Sequence, residues 1–249
     1  MNESVHTLEA EISLPDAGSL YDRVQPVVAG PTYEPALEAM VELVPYPTDR
    51  AVRFTELGCG TGGLTRRLLE RFPLATGAAV DRESALLELA RRNIGRRSDR
   101  VDLRQGGLEE TEIGPSDLVI SACAFHHISP EASKEVLRRV ARSLLPEGCL
   151  ILMDSMTSGP PWGRGISGLG LRLYRRHVEN ALSSGRVTRA ELEARYALKR
   201  RLKTESRSIE YRHTAEALLE AMLAGGFREA GLVWRSFAHT ILLGFVSET

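Results

Sequence analysis

Chemistry gathers at four places in the chain. The first is Glu56-Leu57-Gly58-Cys59-Gly60-Thr61-Gly62-Gly63, which puts four glycines into six positions behind an apolar run. Such a turn lets a ligand lie against the backbone at a helix mouth, where unpaired N–H groups point outward. Gly58, Gly60 and Gly63 match the G-x-G-x-x-G dinucleotide fingerprint, whereas Gly58, Gly60 and Gly62 match a looser G-x-G-x-G. Spacing leaves both open, along with a tight turn that holds nothing. The second place is Asp81, about 20 residues on, where an acid at a strand tip accepts hydrogen bonds from two ribose hydroxyls. The same carboxylate could instead cap the helix that begins near Ser84. The third is Phe125-His126-His127. Either imidazole could act as a base or orient a substrate, or hold its loop through backbone hydrogen bonds. Two adjacent histidines with no third ligand nearby predict no metal site. The fourth is a basic stretch: from Arg164 to Arg212, 13 lysines and arginines face 5 aspartates and glutamates, a net of +8 that leaves −9 for the rest.

The elements that must position these groups alternate. Apolar runs at 51–57, 76–80, 100–105, 117–124 and 149–154 read as strands. Helical spacing falls at 33–44, 63–72, 83–94 and from 130 to about 145, the last opened by Ser129-Pro130-Glu131. That alternation predicts a parallel sheet with helices on both faces. The glycine turn then sits between the first strand and a helix, Asp81 ends the second strand, and the histidines follow the fourth. All lie at the carboxyl edge, where open α/β sheets bind ligands. Residues 155–213 show no strand and read as loop and helices. A helix over 214–224 and two strands, 231–237 and 239–246, close the pattern as an antiparallel hairpin. Residues 1–32 have weak periodicity and read as a partly mobile cover, with residues 33–249 forming the main domain.

Five motifs in order resemble the class I S-adenosylmethionine-dependent methyltransferases, of the small-molecule kind. They are Glu56 to Gly62, Val80-Asp81, Gln105-Gly106-Gly107-Leu108, Asp117 to Ser121, and Leu145-Pro146-Glu147-Gly148-Cys149-Leu150. The resemblance covers about residues 33–154 and 214–246. It implies a Rossmann-like, doubly wound, mostly parallel seven-stranded sheet with an antiparallel C-terminal strand and a helical insertion, 155–213, after strand five. It also implies S-adenosyl-L-methionine as cofactor. Glu56 would attract the ammonium group, and Gly58, Cys59, Gly60 and Gly62 would carry the amino-acid end. Asp81, with Arg82 beside it, would hold the ribose, and Gly107, Leu108 and Ala122 would shape the adenine pocket. The family carries an acid where this chain has Gly107, leaving a backbone carbonyl or Glu109 to meet the adenine amino group. Many relatives carry a histidine near His126 and His127.

The basic insertion sits where relatives place a substrate lid. Trp162, Arg172, Arg175 and Arg176 would then face an anionic small molecule, with Tyr21 and Tyr33 folding over from the N-terminal side. A nucleic-acid surface ranks behind it, because the whole-chain charge of −1 is not basic. A solvated face, or one that meets the acidic surface of a second copy in a homodimer, stays open. Other classes that share the glycine turn are a tRNA wobble-uridine-type enzyme and an NAD-dependent oxidoreductase. No apolar run reaches the roughly 20 residues that span a bilayer, the N-terminus does not read as a secretory signal, and Cys59, Cys123 and Cys149 are far apart. The expectation is a cytoplasmic enzyme with reduced thiols.

Overall fold

The computed structural model describes residues 14–156, 162–205, 209–237 and 239–246. Seven strands form one sheet: β1 (Arg53–Leu57), β2 (Thr76–Asp81), β3 (Val101–Gln105), β4 (Ser116–Ala122), β5 (Leu144–Ser155), β6 (Phe227–Ser236) and β7 (His239–Val246). Their order is β3-β2-β1-β4-β5-β7-β6. All neighbouring pairs from β3 to β5 are parallel, and β7 runs antiparallel to both β5 and β6. The strand order reverses between β1 and β4, so their carboxyl ends open onto a crevice. The alternating sequence pattern and the terminal hairpin are thus both realised.

Burial explains the near-continuous apolar strands, because helices cover both faces. On one face Phe54, Leu118, Ile120, Ile151 and Met153 pack against α2 (Tyr33–Glu42), α3 (Gly63–Arg71) and α4 (Ser84–Ile94). On the other, Val119, Leu150, Leu152 and Leu242 pack against α5 (Pro130–Ser143) and α8 (Ala215–Gly225). Each such side chain contributes about 1.5–3 kcal/mol by leaving water, and the period of two fixes which face each one takes. Ser129 and Thr214 cap α5 and α8 by accepting from Ala132 N and Ala217 N.

Three expectations change. Strand β5 begins at Leu144, not 149. Pro146-Glu147-Gly148 is an irregularity inside the strand, where the register slips between Ser116 and Leu118. Glu147 has φ 61° there. Strand β4 ends at Ala122 because Cys123 turns to φ 54°. The N-terminal segment contains a helix, α1 (Leu14–Ala29), despite Pro26 within it. Its Leu20, Val24 and Val27 recur at helical spacing and form a third cluster with Ala181, Val187 and Leu192. Those partners lie on α6 (Trp162–Ser183) and at or near the start of α7 (Arg189–Glu205), the two helices between β5 and α8.

Candidate active site

The glycine turn is drawn onto the end of β2. Gly58 N and Cys59 N both donate to Val80 O, at 2.8 and 2.9 Å. Gly58, Gly60 and Gly62 all adopt positive φ, whereas Gly63 does not. A Cβ on Gly58 would lie 2.3 Å from Ala124 Cβ, and one on Gly62 would press on Ala90 at 3.1 Å, closing the approach of α3 to α4. A Cβ on Gly63 meets only the tip of Arg67, at 3.6 Å. The glycines that geometry requires are therefore 58, 60 and 62, which selects G-x-G-x-G over the dinucleotide spacing. Gly60 faces open space: among the described residues, its chain neighbours apart, no atom lies within 4 Å of its would-be Cβ.

Two acids flank the turn. Glu56 is 1% exposed and accepts from Thr65 Oγ1. Burial pushes its carboxyl up to about 8; nearby Asp81 adds to this and Thr65 opposes it. Among the described residues no basic side chain pairs with it. Its stability sign follows. The unfolded carboxyl loses its proton near 4.5 and the folded one near 8, so the folded chain holds the extra proton in between and loses stability as pH rises through that window. Asp81, 8% exposed, is also raised by burial, opposed by the amides that bond it. Its Oδ2 accepts from Gly60 N at 2.8 Å and its Oδ1 from Glu83 N at 3.0 Å. It thus clamps the glycine turn and the entry to α4 while lining the cleft.

Across the switch point, Phe125–His127 form one 3₁₀ turn. Asp154, at the end of β5 and 1% exposed, accepts from His126 N at 3.0 Å and Ser155 N at 2.6 Å, and its Oδ1 lies 2.8 Å from His126 Nδ1. Burial alone would raise its carboxyl, but the His126 ring and these amides hold it below the ordinary value. His213 Nε2 meets the carbonyls of Phe125 and Ile128 at 3.0 and 3.1 Å, and Tyr211 N donates to His126 O at 2.7 Å. His127 is exposed and lies against the His126 ring, with centroids 4.0 Å apart. Of the two histidines, His126 is the one held by a buried carboxylate.

One cleft of about 1460 Å³ joins these parts. Glu56, Gly58, Cys59, Gly60, Asp81, Arg82, Gly107, Leu108, Ala122, His126 and His127 line it, as do Tyr21 and Tyr33; Gly62 lies behind it. Arg172, Arg175 and Arg176 are exposed and lie off it, because α6 turns Tyr174, Val178 and Ala181 inward and these three arginines outward. The Trp162 side chain lies outside the described residues. Sequence reasoning missed Asp154, Arg195 and His239. His239 is buried, which lowers its pKa, and its Nδ1 lies 2.6 Å from Thr32 Oγ1. Asp154 did leave a signal, as an acid closing the wholly apolar run Cys149 to Met153. Among the described residues no group of three His, Cys, Asp or Glu could hold a metal ion, and no helix is long and apolar enough to cross a membrane.

Residues 54–148 match the family described as a methyltransferase domain. The trans-aconitate 2-methyltransferase of Pseudomonas aeruginosa is 33% identical over 146 residues, covering 53% of this chain and 50% of that protein. The malonyl-[acyl-carrier protein] O-methyltransferase of Priestia megaterium is 35% identical over 104 residues, 41% of this chain and 36% of that protein. The chain therefore matches half or less of the length of these curated relatives. Among solved structures, an O-methyltransferase family protein from Burkholderia thailandensis superposes with TM-score 0.61 at 17% identity, over 98% of this chain and 67% of that one. Human N-acetylserotonin methyltransferase, in complex with S-adenosylmethionine, superposes with TM-score 0.60 at 13% identity, over 94% and 57%.

Proposed function

We propose, on the premise that residues 54–148 are a methyltransferase domain set in a class I Rossmann-like fold, that the chain methylates a small-molecule acceptor at the expense of S-adenosylmethionine. One observation carries the reading: a single cleft is lined both by the glycine turn with its buried acids and by an imidazole held on a buried carboxylate. The residues fit the cofactor. Glu56 is a buried acid with no basic partner among the described residues, suited to an ammonium group. Asp81 presents a carboxylate for ribose hydroxyls, and Gly107, Leu108 and Ala122 give apolar walls for an adenine. Nothing here needs a phosphate, consistent with the G-x-G-x-G choice.

When bound, S-adenosylmethionine supplies a methyl group on a sulfonium, open to in-line displacement. The chain's own residues position the acceptor and exclude water. With Nδ1–H directed at Asp154 Oδ1, the His126 lone pair is on Nε2, the atom that takes a proton from an acceptor hydroxyl. Asp154 keeps its charge and stabilises the imidazolium that results. Trans-aconitate and the malonyl group, in the names of the two relatives, are both carboxylates, which supports an anionic acceptor. On this reading the enzyme works in the cytoplasm with reduced thiols and without nucleic acid. Arg172, Arg175 and Arg176 are then a solvated face, or one that meets a second copy.

The test is a calorimetric titration with S-adenosylmethionine, S-adenosylhomocysteine and NAD in parallel. Binding of the first two and not NAD is expected; binding of NAD alone would sink the proposal. Two further outcomes are specific. At neutral pH a cationic ligand beside Glu56 lowers its pKa from about 8, so binding releases close to one proton, read from buffers of different ionisation enthalpy. Glu56→Gln abolishes that release. Gly60→Ala puts its Cβ in open space and adds an αL penalty of about 1 kcal/mol. It should stay folded by circular dichroism yet weaken cofactor binding about tenfold or more.

A further inference from the structure

Arg195 of α7 is only 4% exposed, yet it lines the cleft. Both of its known partners come from α1. Its Nη2 donates to Gln25 Oε1 at 2.6 Å, and its Cζ lies 4.1 Å from the centroid of the Tyr21 ring. Its Nε and Nη1, which together carry three N–H donors, are buried without a hydrogen-bond partner among the described residues. Arg67, which also lines the cleft, pairs with Glu34. Arg139, off the cleft, leaves only its Nε unpartnered among the described residues and donates from both terminal nitrogens to the Thr111 and Leu108 carbonyls. A buried guanidinium facing a neutral amide and a ring is under-compensated, because buried charges are ordinarily paired. Burial raises the Tyr21 phenol, Arg195 opposes this, and Asp81 and Cys123 reinforce it. Tyr21 therefore sits within electrostatic reach of both the arginine and the cofactor side of the cleft.

We infer that Arg195 is the carboxylate-binding group of this cleft, its missing partner being a ligand that carries one negative charge. Guanidinium donors suit a carboxylate, and one buried positive charge matches one negative charge. Two molecules could bring it: the acceptor, or the methionine tail of the cofactor. The choice between them rests on the methyl-transfer reading; the anion site itself does not.

The experiment measures binding by wild-type protein, Arg195→Met and Gln25→Glu. One arm compares S-adenosylmethionine with its decarboxylated form. The other compares trans-aconitate and malonate with their neutral amides, with and without S-adenosylhomocysteine. Wild type is expected to prefer the carboxylate form in one arm, and Arg195→Met to lose about ten- to a hundredfold in affinity for that form alone. Loss in the first arm assigns the site to the cofactor, and loss in the second to the acceptor. Gln25→Glu supplies an internal anion, so it should raise the melting temperature and weaken the same ligand, which keeps the test valid if Arg195→Met folds poorly. Failure to bind either adenosyl ligand would sink methyl transfer while the acids still report on Arg195. No carboxylate preference in wild type, or a preference that survives both substitutions, overturns the inference.

Discussion

Replacing His126 with glutamine is expected to lower kcat by about 10²–10⁴-fold while leaving the Kd for S-adenosylmethionine within about threefold. The imidazole is part-buried in the cleft and held at Nδ1 by Asp154, on a turn that Tyr211 and His213 fasten from a separate segment. The backbone position therefore survives the substitution, and what is lost is the proton acceptor. Asp154→Asn tests the other half of the pair. Its carboxylate accepts from three N–H groups, on His126 N, His126 Nδ1 and Ser155 N. An amide in its place must turn NH₂ toward one of them, so either the ring tautomer changes or the turn is released. A fall in kcat comparable to that of the histidine variant, with cofactor affinity kept, marks the pair as one unit. Unchanged kcat in both would mean that the methyl group goes to an oxygen already deprotonated, such as a carboxylate, and that the pair only shapes the loop.

The sheet was legible because its strands are buried on both faces and punctuated by glycine and proline, so local pattern and tertiary environment agree. Glu56, Gly58, Gly60 and Asp81 were legible for a related reason: a turn at a fixed place in a βαβ unit leaves few residue types that fit. The choice between Gly62 and Gly63 was not, since it depends on φ and on the approach of Ala90 to the turn, a contact between residues far apart in sequence. Arg172, Arg175 and Arg176 attracted notice by density of charge, yet density says nothing about which face of α6 looks inward. Arg195 stood unremarked in a more mixed stretch, although its burial against α1 is what gives it meaning. Helix α1 itself was obscured by Pro26 and by apolar residues that only make sense once α7 supplies a partner surface.

Asp81→Asn should raise the Kd for S-adenosylmethionine by about 10²-fold or more, the cost of hydrogen bonds to a charged acceptor at about 1.5–3 kcal/mol each. The carboxylate has two tasks that must be told apart. It holds the glycine turn by accepting from Gly60 N, and the start of α4 by accepting from Glu83 N. It also lines the cleft, where it can meet ribose hydroxyls. An affinity loss alone would fit either task, because a released Gly60 amide would disturb the turn. The ribose role has its own signature: wild type should prefer S-adenosylhomocysteine over its 2′-deoxy analogue, and the substitution should erase that preference as well as lower both affinities. A preference that persists at its full size would leave Asp81 as a clamp on the turn and move the ribose elsewhere. Stability separates the tasks further. Burial raises the folded pKa of Asp81, so its charge costs stability as pH rises above the ordinary carboxylate value of 3.8. The asparagine variant, which cannot ionise, should lose that part of the pH dependence whatever it does to binding. A variant that folds normally, loses the pH dependence and binds both adenosyl ligands weakly and equally is the combination that assigns the ribose to Asp81.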